Sequence, residues 1–329
     1  LDGRELTNDA NIDHQSVIYL PKDYNDQNSL SWEFLSDFWT WLRQDGVAVL
    51  GGNDNSDTQR GNIDYIHIFS PGGGVCRKDP KYGFWTLFSP CGGRRTRLTF
   101  QDELQTVKAD KASTPELVDI KITDYCPFGC EMCYQGSTLE GQHASHDFLD
   151  TMIRSFVRMG VFEVAIGGGE PTLHPGFLDL LGSFRRSGIV PNFTTRNLAW
   201  LKSPKKVRSV LEHAGSWAFS TENPDDVDRL AAALAEAEYN RLPDVQYILG
   251  VGNLQQLRAM LAKCKEHKFK LTLLGSKTTH RGKSYVWGQP QGWINEIVEC
   301  SKTQGIGIDT AIASRYQKEL KEAKVPSWC

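Results

Sequence analysis

From about residue 117 onward, short apolar runs alternate with stretches whose apolar residues recur every three or four positions. This alternation is typical of βαβ units with a parallel sheet. It predicts an α/β fold in which six or seven strand–helix units build a complete or partial (β/α) TIM-like barrel. An open doubly wound sheet is the competing arrangement. The predicted strands are residues 117–125, 161–166, 189–195, 217–221, 245–251, 269–274 and 306–312.

Helices are predicted between these strands. Asn253 has the residue type that caps helix N-termini, and Asn223 does too, with Pro224 at the first helical position. Two apolar helix faces follow from the spacing, one formed by Phe148, Met152, Phe156 and Val157 and the other by Val227, Leu230, Ala231 and Leu234.

The first 115 residues lack this alternation and are rich in aromatic residues, Gly and Asn. We interpret them as an N-terminal α+β accessory domain that ends in a charged linker, followed by the barrel at 116–313 and a tail at 314–329. Within it we expect one amphipathic helix at 32–44, and strands at 17–20, 46–50, 63–69 and 83–88.

Charge and hydropathy narrow the class of protein. The 37 Lys and Arg residues against 40 Asp and Glu residues give a net charge of −3, which argues against a protein that coats nucleic acid or an anionic membrane. No apolar run approaches the roughly 18 residues of a membrane span, and the polar first segment lacks the apolar stretch of a signal peptide. We therefore expect a cytoplasmic protein without a membrane partner.

Three of the eight cysteines, Cys126, Cys130 and Cys133, fall within eight residues. Clustered cysteines in an intracellular protein more often bind metal than form disulfides. Structural zinc normally takes four protein ligands, whereas three thiolates on a [4Fe–4S] cluster leave one iron free to bind a substrate or cofactor. The sequence context predicts core or structural roles for the isolated thiols Cys76, Cys91, Cys264 and Cys300.

The cysteine group directly follows the first predicted barrel strand. A glycine-rich turn containing Gly168, Gly169, Glu170 and Pro171 directly follows the second. Because the carboxyl ends of barrel strands meet at one face, where active sites lie, the fold should bring the two segments together.

In these two segments the sequence resembles the radical S-adenosylmethionine (SAM) superfamily. Its CxxxCxxC motif with a following aromatic residue matches Cys126, Cys130, Cys133 and Tyr134, and its GGEP motif matches residues 168–171. The resemblance implies a [4Fe–4S] cluster on the three cysteines whose fourth iron chelates SAM. One electron would then cleave SAM to methionine and a 5′-deoxyadenosyl radical, which abstracts a hydrogen from the substrate.

The resemblance also assigns SAM contacts. Gly168, Gly169 and Glu170 would hold the methionine amino group, and Tyr134 would pack near the adenine. Polar groups that follow the third and fourth strands include Arg196 and Glu222, to which no role is assigned. By the same resemblance Thr195, Asn197 and Ser220 would contact ribose and carboxylate, and Val251 would line the adenine pocket.

The segment 276–283 follows the sixth strand and is basic. Lys277 and Arg281 are candidate substrate residues there, because such a loop can hold a carboxylate or phosphate. A solvated loop is the alternative.

The resulting hypothesis is an oxygen-sensitive radical SAM enzyme that modifies a peptide or protein residue and receives electrons from flavodoxin or ferredoxin. Radical chemistry on a small metabolite or nucleoside is the alternative. A non-catalytic iron–sulfur protein for binding or electron transfer is a further alternative.

Overall fold

The computed structural model describes residues 65–67, 75–79, 81–82, 84–89, 94–98, 111–288 and 292–323. The helix and strands predicted at 32–44, 17–20 and 46–50 lie outside the described residues. Two compact units are formed. The first contains the described residues up to Val118, with Asp147–Val164 and Ser183–Pro191, and the second contains Asp119–His146, Ala165–Gly182 and the described residues from Asn192 onward. The predicted domain boundaries stay a prediction.

The described strands are β1 (Tyr65–His67), β2 (Val75–Lys78), β3 (Trp85–Ser89), β4 (Arg94–Leu98), β5 (Leu117–Lys121), β6 (Glu163–Gly167), β7 (Val190–Thr195), β8 (Trp217–Ser220), β9 (Asp244–Ile248), β10 (Leu271–Leu274) and β11 (Ile306–Ile308).

The described α-helices are α1 (His146–Met159), α2 (Phe177–Arg186), α3 (Pro204–His213), α4 (Asp225–Glu236), α5 (Leu254–Glu266), α6 (Trp293–Ser301), α7 (Thr310–Arg315) and α8 (Gln317–Glu322). Short 3₁₀ helices occupy Pro171–Leu173, Ala199–Lys202 and His280–Lys283. No described helix has both the length and the apolar character that a membrane crossing requires.

The seven strands from β5 to β11 form one sheet in which each strand pairs with its neighbours in the chain. A doubly wound sheet would instead reverse its strand order at a switch point. This order, with helices between the strands, confirms the predicted partial barrel. All seven predicted strands are present, although three of them end three or more residues earlier than predicted, β5 at Lys121, β9 at Ile248 and β11 at Ile308. The last ends there because the Asp309 side chain accepts from the Ile312 N–H at 2.9 Å and starts α7.

A four-stranded antiparallel sheet, β1 to β4, belongs to the first unit. The sequence pattern does not predict β2, because its Arg77 is 1% exposed where the alternation requires an apolar residue. That guanidinium lies 4.5 Å from the ring centre of Phe162 and donates to the Met159 carbonyl at 3.3 Å. The sequence pattern does not predict β4 either, because arginines interrupt its apolar alternation. One of them, Arg97, pairs with Glu116 at 2.9 Å.

Two local predictions need correction. The α1 helix buries Leu149, Ile153 and Phe156, whereas Phe148 is 59% exposed, so the predicted face is wrong by about one position. The cap of α4 is Pro224 and not Asn223 as predicted, so Asn223 lies one residue before the observed cap, where its side chain accepts from the Asp225 N–H at 3.1 Å. The capping box predicted from Asn253 is confirmed.

An aromatic cluster fills part of the core of the second unit. The Trp217 ring stacks on Phe193 with centres 5.8 Å apart, and Trp200 meets it edge-on at 5.1 Å. The Trp217 Nε1–H donates to the Tyr239 hydroxyl at 3.0 Å. Burial raises the pKa of that hydroxyl, so it remains a neutral phenol in this core.

We expect Tyr239→Phe to lower the free energy of unfolding by about 1–3 kcal/mol, because the buried Trp217 N–H loses its acceptor. Chemical denaturation measures this change. Tyr316→Phe, at a half-buried tyrosine whose hydroxyl has no hydrogen bond among the described residues, is the matched control. Equal stability of the two variants would contradict the role given to this hydrogen bond.

Candidate active site

The segment 126–138, here called the cysteine loop, follows β5 at the carboxyl edge of the seven-stranded sheet. Its two ends are tied together, because the Cys126 N–H donates to the Thr138 carbonyl at 2.8 Å and the Thr138 N–H donates to the Asp124 carbonyl at 3.1 Å. A tight turn lies between, in which the Cys133 N–H donates to the Cys130 carbonyl at 3.2 Å. The backbone therefore fixes the positions from which the three thiols project.

The GGEP turn after β6 packs directly against the backbone that enters the cysteine loop. The Gly169 N–H donates to the Thr123 carbonyl at 2.7 Å, and the Glu170 N–H donates to the Tyr125 carbonyl at 2.8 Å. A Cβ at Gly169 would lie 2.1 Å from the Tyr125 carbonyl oxygen, and one at Gly168 would lie 2.4 Å from that of Thr123. Gly168 also has a φ of 122°, which disfavours any side chain. The two segments paired by sequence reasoning thus lie in contact.

The Glu170 carboxylate joins the ends of β6 and β7. It is 1% exposed, and its Oε1 accepts from the hydroxyls of Thr172 and Thr195, each at 2.6 Å. Its Oε2 accepts from the Arg196 N–H at 3.0 Å. Both carboxylate oxygens of Glu170 therefore accept hydrogen bonds from within the protein. Contact of Glu170 with a SAM amino group stays a prediction.

A second loop, residues 276–287 after β10, also contacts the cysteine loop. Arg281 donates from Nε to the Cys130 carbonyl at 2.9 Å and from a terminal nitrogen to the Ser137 carbonyl at 3.0 Å. The Lys277 ammonium lies 4.2 Å from the ring centre of Tyr134. These contacts engage both candidate substrate residues with the cysteine loop, and their substrate role stays a prediction.

Arg196 is a cation in contact with the Cys130 thiol. One terminal nitrogen donates to the Cys130 sulfur at 3.0 Å and to Glu222 at 2.7 Å, and the other terminal nitrogen pairs with the second carboxylate oxygen. Burial lowers the pKa of Arg196, but its bonds to Glu222 and Cys130 outweigh burial and leave the pKa raised. The sequence shows only that Arg196 and Glu222 follow strands. The folded structure shows that Arg196 contacts the Cys130 sulfur and that Glu222 pairs with Arg196.

The three thiols fit an iron–sulfur cluster better than a single zinc ion. They are free and partly exposed, and burial raises the pKa of Cys126 and Cys130. Four-coordinate zinc would hold its sulfurs about 3.8 Å apart, yet they are not gathered within 4.8 Å of one another. A [4Fe–4S] cluster spreads its ligating sulfurs more widely, because each binds a different iron.

The remaining predicted SAM contacts lie at neighbouring strand ends. The Asn197 side-chain amide donates to the Thr172 hydroxyl at 3.0 Å. The Ser220 hydroxyl donates to the Gln246 side-chain oxygen at 3.1 Å, and the Val251 carbonyl accepts from the Tyr285 hydroxyl at 3.2 Å. Their roles toward SAM stay predictions.

A groove of about 1000 Å³ opens beside the cysteine loop. Phe128, Arg196 and Ser220 line its end at the carboxyl edge of the sheet, and facing sides of α3 and α4 line its length. Leu201 and Phe219 contribute an apolar lining. The groove is large enough for a ligand of drug size or larger.

Comparison with known proteins identifies this arrangement. The model of the Radical SAM superfamily matches residues 120–275. Two GTP 3′,8-cyclases match shorter segments. That of Hydrogenovibrio crunogenus is 38% identical over 68 residues, or 18% of this chain and 20% of the cyclase. That of Pasteurella multocida is 30% identical over 101 residues, which cover 26% of this chain and 30% of the cyclase. The matches thus span less than a third of either cyclase.

Solved structures share the fold at low sequence identity. Streptococcus suis SuiB bound to the precursor peptide SuiA matches with a TM-score of 0.55 and 14% identity over 71% of each chain. SuiB bound to S-adenosylmethionine matches with a TM-score of 0.53 and 13% identity over 71% of this chain and 72% of that one. At this identity the likeness concerns the fold.

We expect Glu170→Gln to lower the free energy of unfolding by about 1–3 kcal/mol, because an amide cannot accept from all the donors that surround the carboxylate. Glu140→Gln, an exposed change on the neighbouring segment, is the control. Chemical denaturation of the metal-free proteins compares them. A Glu170→Gln protein as stable as the control would contradict the bridging role.

Proposed function

Because the chain belongs to the radical SAM superfamily, we propose that it reductively cleaves SAM and uses the resulting 5′-deoxyadenosyl radical to abstract a hydrogen from a peptide or protein residue. The observation that carries this proposal is the loop of three free thiols, held at the carboxyl edge of the sheet by the GGEP turn and by the loop after β10.

The chain's own residues supply the binding framework. Cys126, Cys130 and Cys133 would ligate a [4Fe–4S] cluster, which when bound with SAM supplies the one-electron cleavage chemistry. The residues that would position SAM surround the loop on several strand ends, so they would orient the cofactor and limit the access of water. These are Tyr134, Gly168, Gly169, Glu170, Thr195, Asn197, Ser220 and Val251.

The proposed cleavage of SAM needs one electron. We propose a small donor such as flavodoxin or ferredoxin. An oxygen-sensitive cluster and free thiols both suit the reducing cytoplasm, and we place the enzyme there.

A peptide substrate is supported by the groove beside the cysteine loop. Helices α3 and α4 are 10 and 12 residues long, so the groove between them runs for roughly 15 Å, the length of about five extended residues. Helices that follow parallel strands begin at the carboxyl edge. A segment lying in the groove would therefore have one end at Phe128 and Arg196, next to the thiols.

A nucleotide is the second candidate substrate. The observation in its favour is the sequence similarity to GTP 3′,8-cyclases. Such a ligand would fill only a part of the groove, and it would need the cationic groups near the cysteine loop to balance its phosphates.

The first test concerns the cluster. We expect the anaerobically reconstituted protein to bind about four irons per chain and to release 5′-deoxyadenosine from SAM with dithionite. Cys130→Ala should lose both properties, because the loop then offers too few thiolates. Cys300→Ala, at a partly buried thiol of α6, should keep them. Iron content and mass spectrometry provide the readouts. Release of 5′-deoxyadenosine by Cys130→Ala would refute the proposed cluster site.

The second test separates the two substrates. We expect a pool of random decapeptides, but not GTP, to raise 5′-deoxyadenosine release above its uncoupled background. Ala233→Phe, which narrows the groove, should abolish that stimulation, while Ala235→Phe on the exposed side of α4 should retain it. Stimulation by GTP alone, unaffected by Ala233→Phe, would instead establish the nucleotide as substrate class.

A further inference from the structure

Arg196 and Glu222 form a charged pair directly against one of the three thiols. The guanidinium makes a two-pronged contact with the Glu222 carboxylate, and one of its nitrogens also donates to the Cys130 sulfur at 3.0 Å. The Arg196 backbone is fixed as well, because its N–H donates to the buried Glu170 carboxylate at 3.0 Å. Both the backbone and the side chain of Arg196 are therefore held in place next to the sulfur.

We propose that Arg196 and Glu222 set the reduction potential of the iron–sulfur cluster that Cys130 would ligate. This inference rests on the proposed function, in which the cluster takes up one electron from an external donor. Hydrogen bonds to ligating sulfurs and nearby net charge are main determinants of cluster potentials. The pair provides one of each: Arg196 donates a charge-assisted hydrogen bond, and Glu222 brings a negative charge.

The two residues should act in opposite directions. The Arg196 charge and its N–H stabilise the additional negative charge of the reduced state, which raises the potential. The Glu222 charge disfavours that state and lowers the potential, while its two oxygens aim the guanidinium at Cys130.

A purely structural brace between the ends of β7 and β8 would have different consequences. Removal of either partner would then lower stability, and the electronic properties of the cluster would not follow the sign of the charge removed. The sign of the shift in reduction potential therefore distinguishes an electrostatic effect of the pair on the cluster from a purely structural role of the pair.

The experiment is an electrochemical titration of the full-length reconstituted protein, monitored by electron paramagnetic resonance of the reduced cluster, without SAM. Arg196→Gln should shift the midpoint potential to more negative values. Glu222→Gln removes a negative charge and should therefore shift the potential to more positive values. The glutamine oxygen can still accept from the guanidinium, so Arg196 should stay aimed at Cys130. Arg196→Lys keeps the charge without the two-pronged geometry, and its potential should lie between those of wild type and Arg196→Gln.

Arg241→Gln is the matched control. This partly buried arginine donates to the Val210, Leu211 and Ala214 carbonyls at the C-terminal end of α3. Its loss should reduce stability and leave the potential unchanged. Unchanged potentials in Arg196→Gln and Glu222→Gln, or shifts of both in the same direction, would overturn the inference.

The outcomes also separate this inference from the proposed function. If the wild-type protein assembles no cluster, the proposed function fails and the inference with it. If the wild type titrates as a cluster and releases 5′-deoxyadenosine while Arg196→Gln has the wild-type potential, only the inference fails.

Discussion

The contact between two backbone segments, the GGEP turn and the entry to the cysteine loop, is the constraint on which the rest of the site depends. Two N–H groups of the turn donate to carbonyls of the entry segment at 2.7 and 2.8 Å, and a Cβ at Gly169 would overlap that backbone. The glycines are therefore needed first for the approach of two protein segments. Whatever the thiols bind is positioned by this contact, because it fixes where the loop leaves the sheet.

Two further contacts surround the loop, and both come from distant parts of the chain. Arg281 reaches the Cys130 carbonyl across 151 residues of sequence, and Arg196 reaches the Cys130 sulfur across 66. The three supports come from the ends of β6, β7 and β10, so the sheet order dictates which segments meet at the thiols. A loop held from several strand ends can keep its ligands in place while a cofactor binds and leaves.

Sequence reasoning reached the seven strands of the larger sheet, the cysteine group and the GGEP turn, because each is marked by a local pattern. It did not assign a role to Arg196, since nothing local distinguishes an arginine that pairs with Glu222 from one in solvent. Buried arginine produced the same failure in β2, where Arg77 occupies an apolar position and is stabilised by Phe162 and backbone carbonyls. In each case the structural role of a charged residue is determined by partners that are far away in the sequence, so a local pattern does not reveal it.

Arg196 also connects the chemistry to the route by which a substrate would approach. The same side chain that contacts the Cys130 sulfur lines the end of the groove, together with Phe128 of the cysteine loop. A ligand that enters the groove therefore meets the charge that acts on the thiols. An anionic group placed there would compete with Glu222 for the guanidinium and would change the field at Cys130. Through this one residue, a ligand in the groove would be coupled to the electronic state of the proposed cluster.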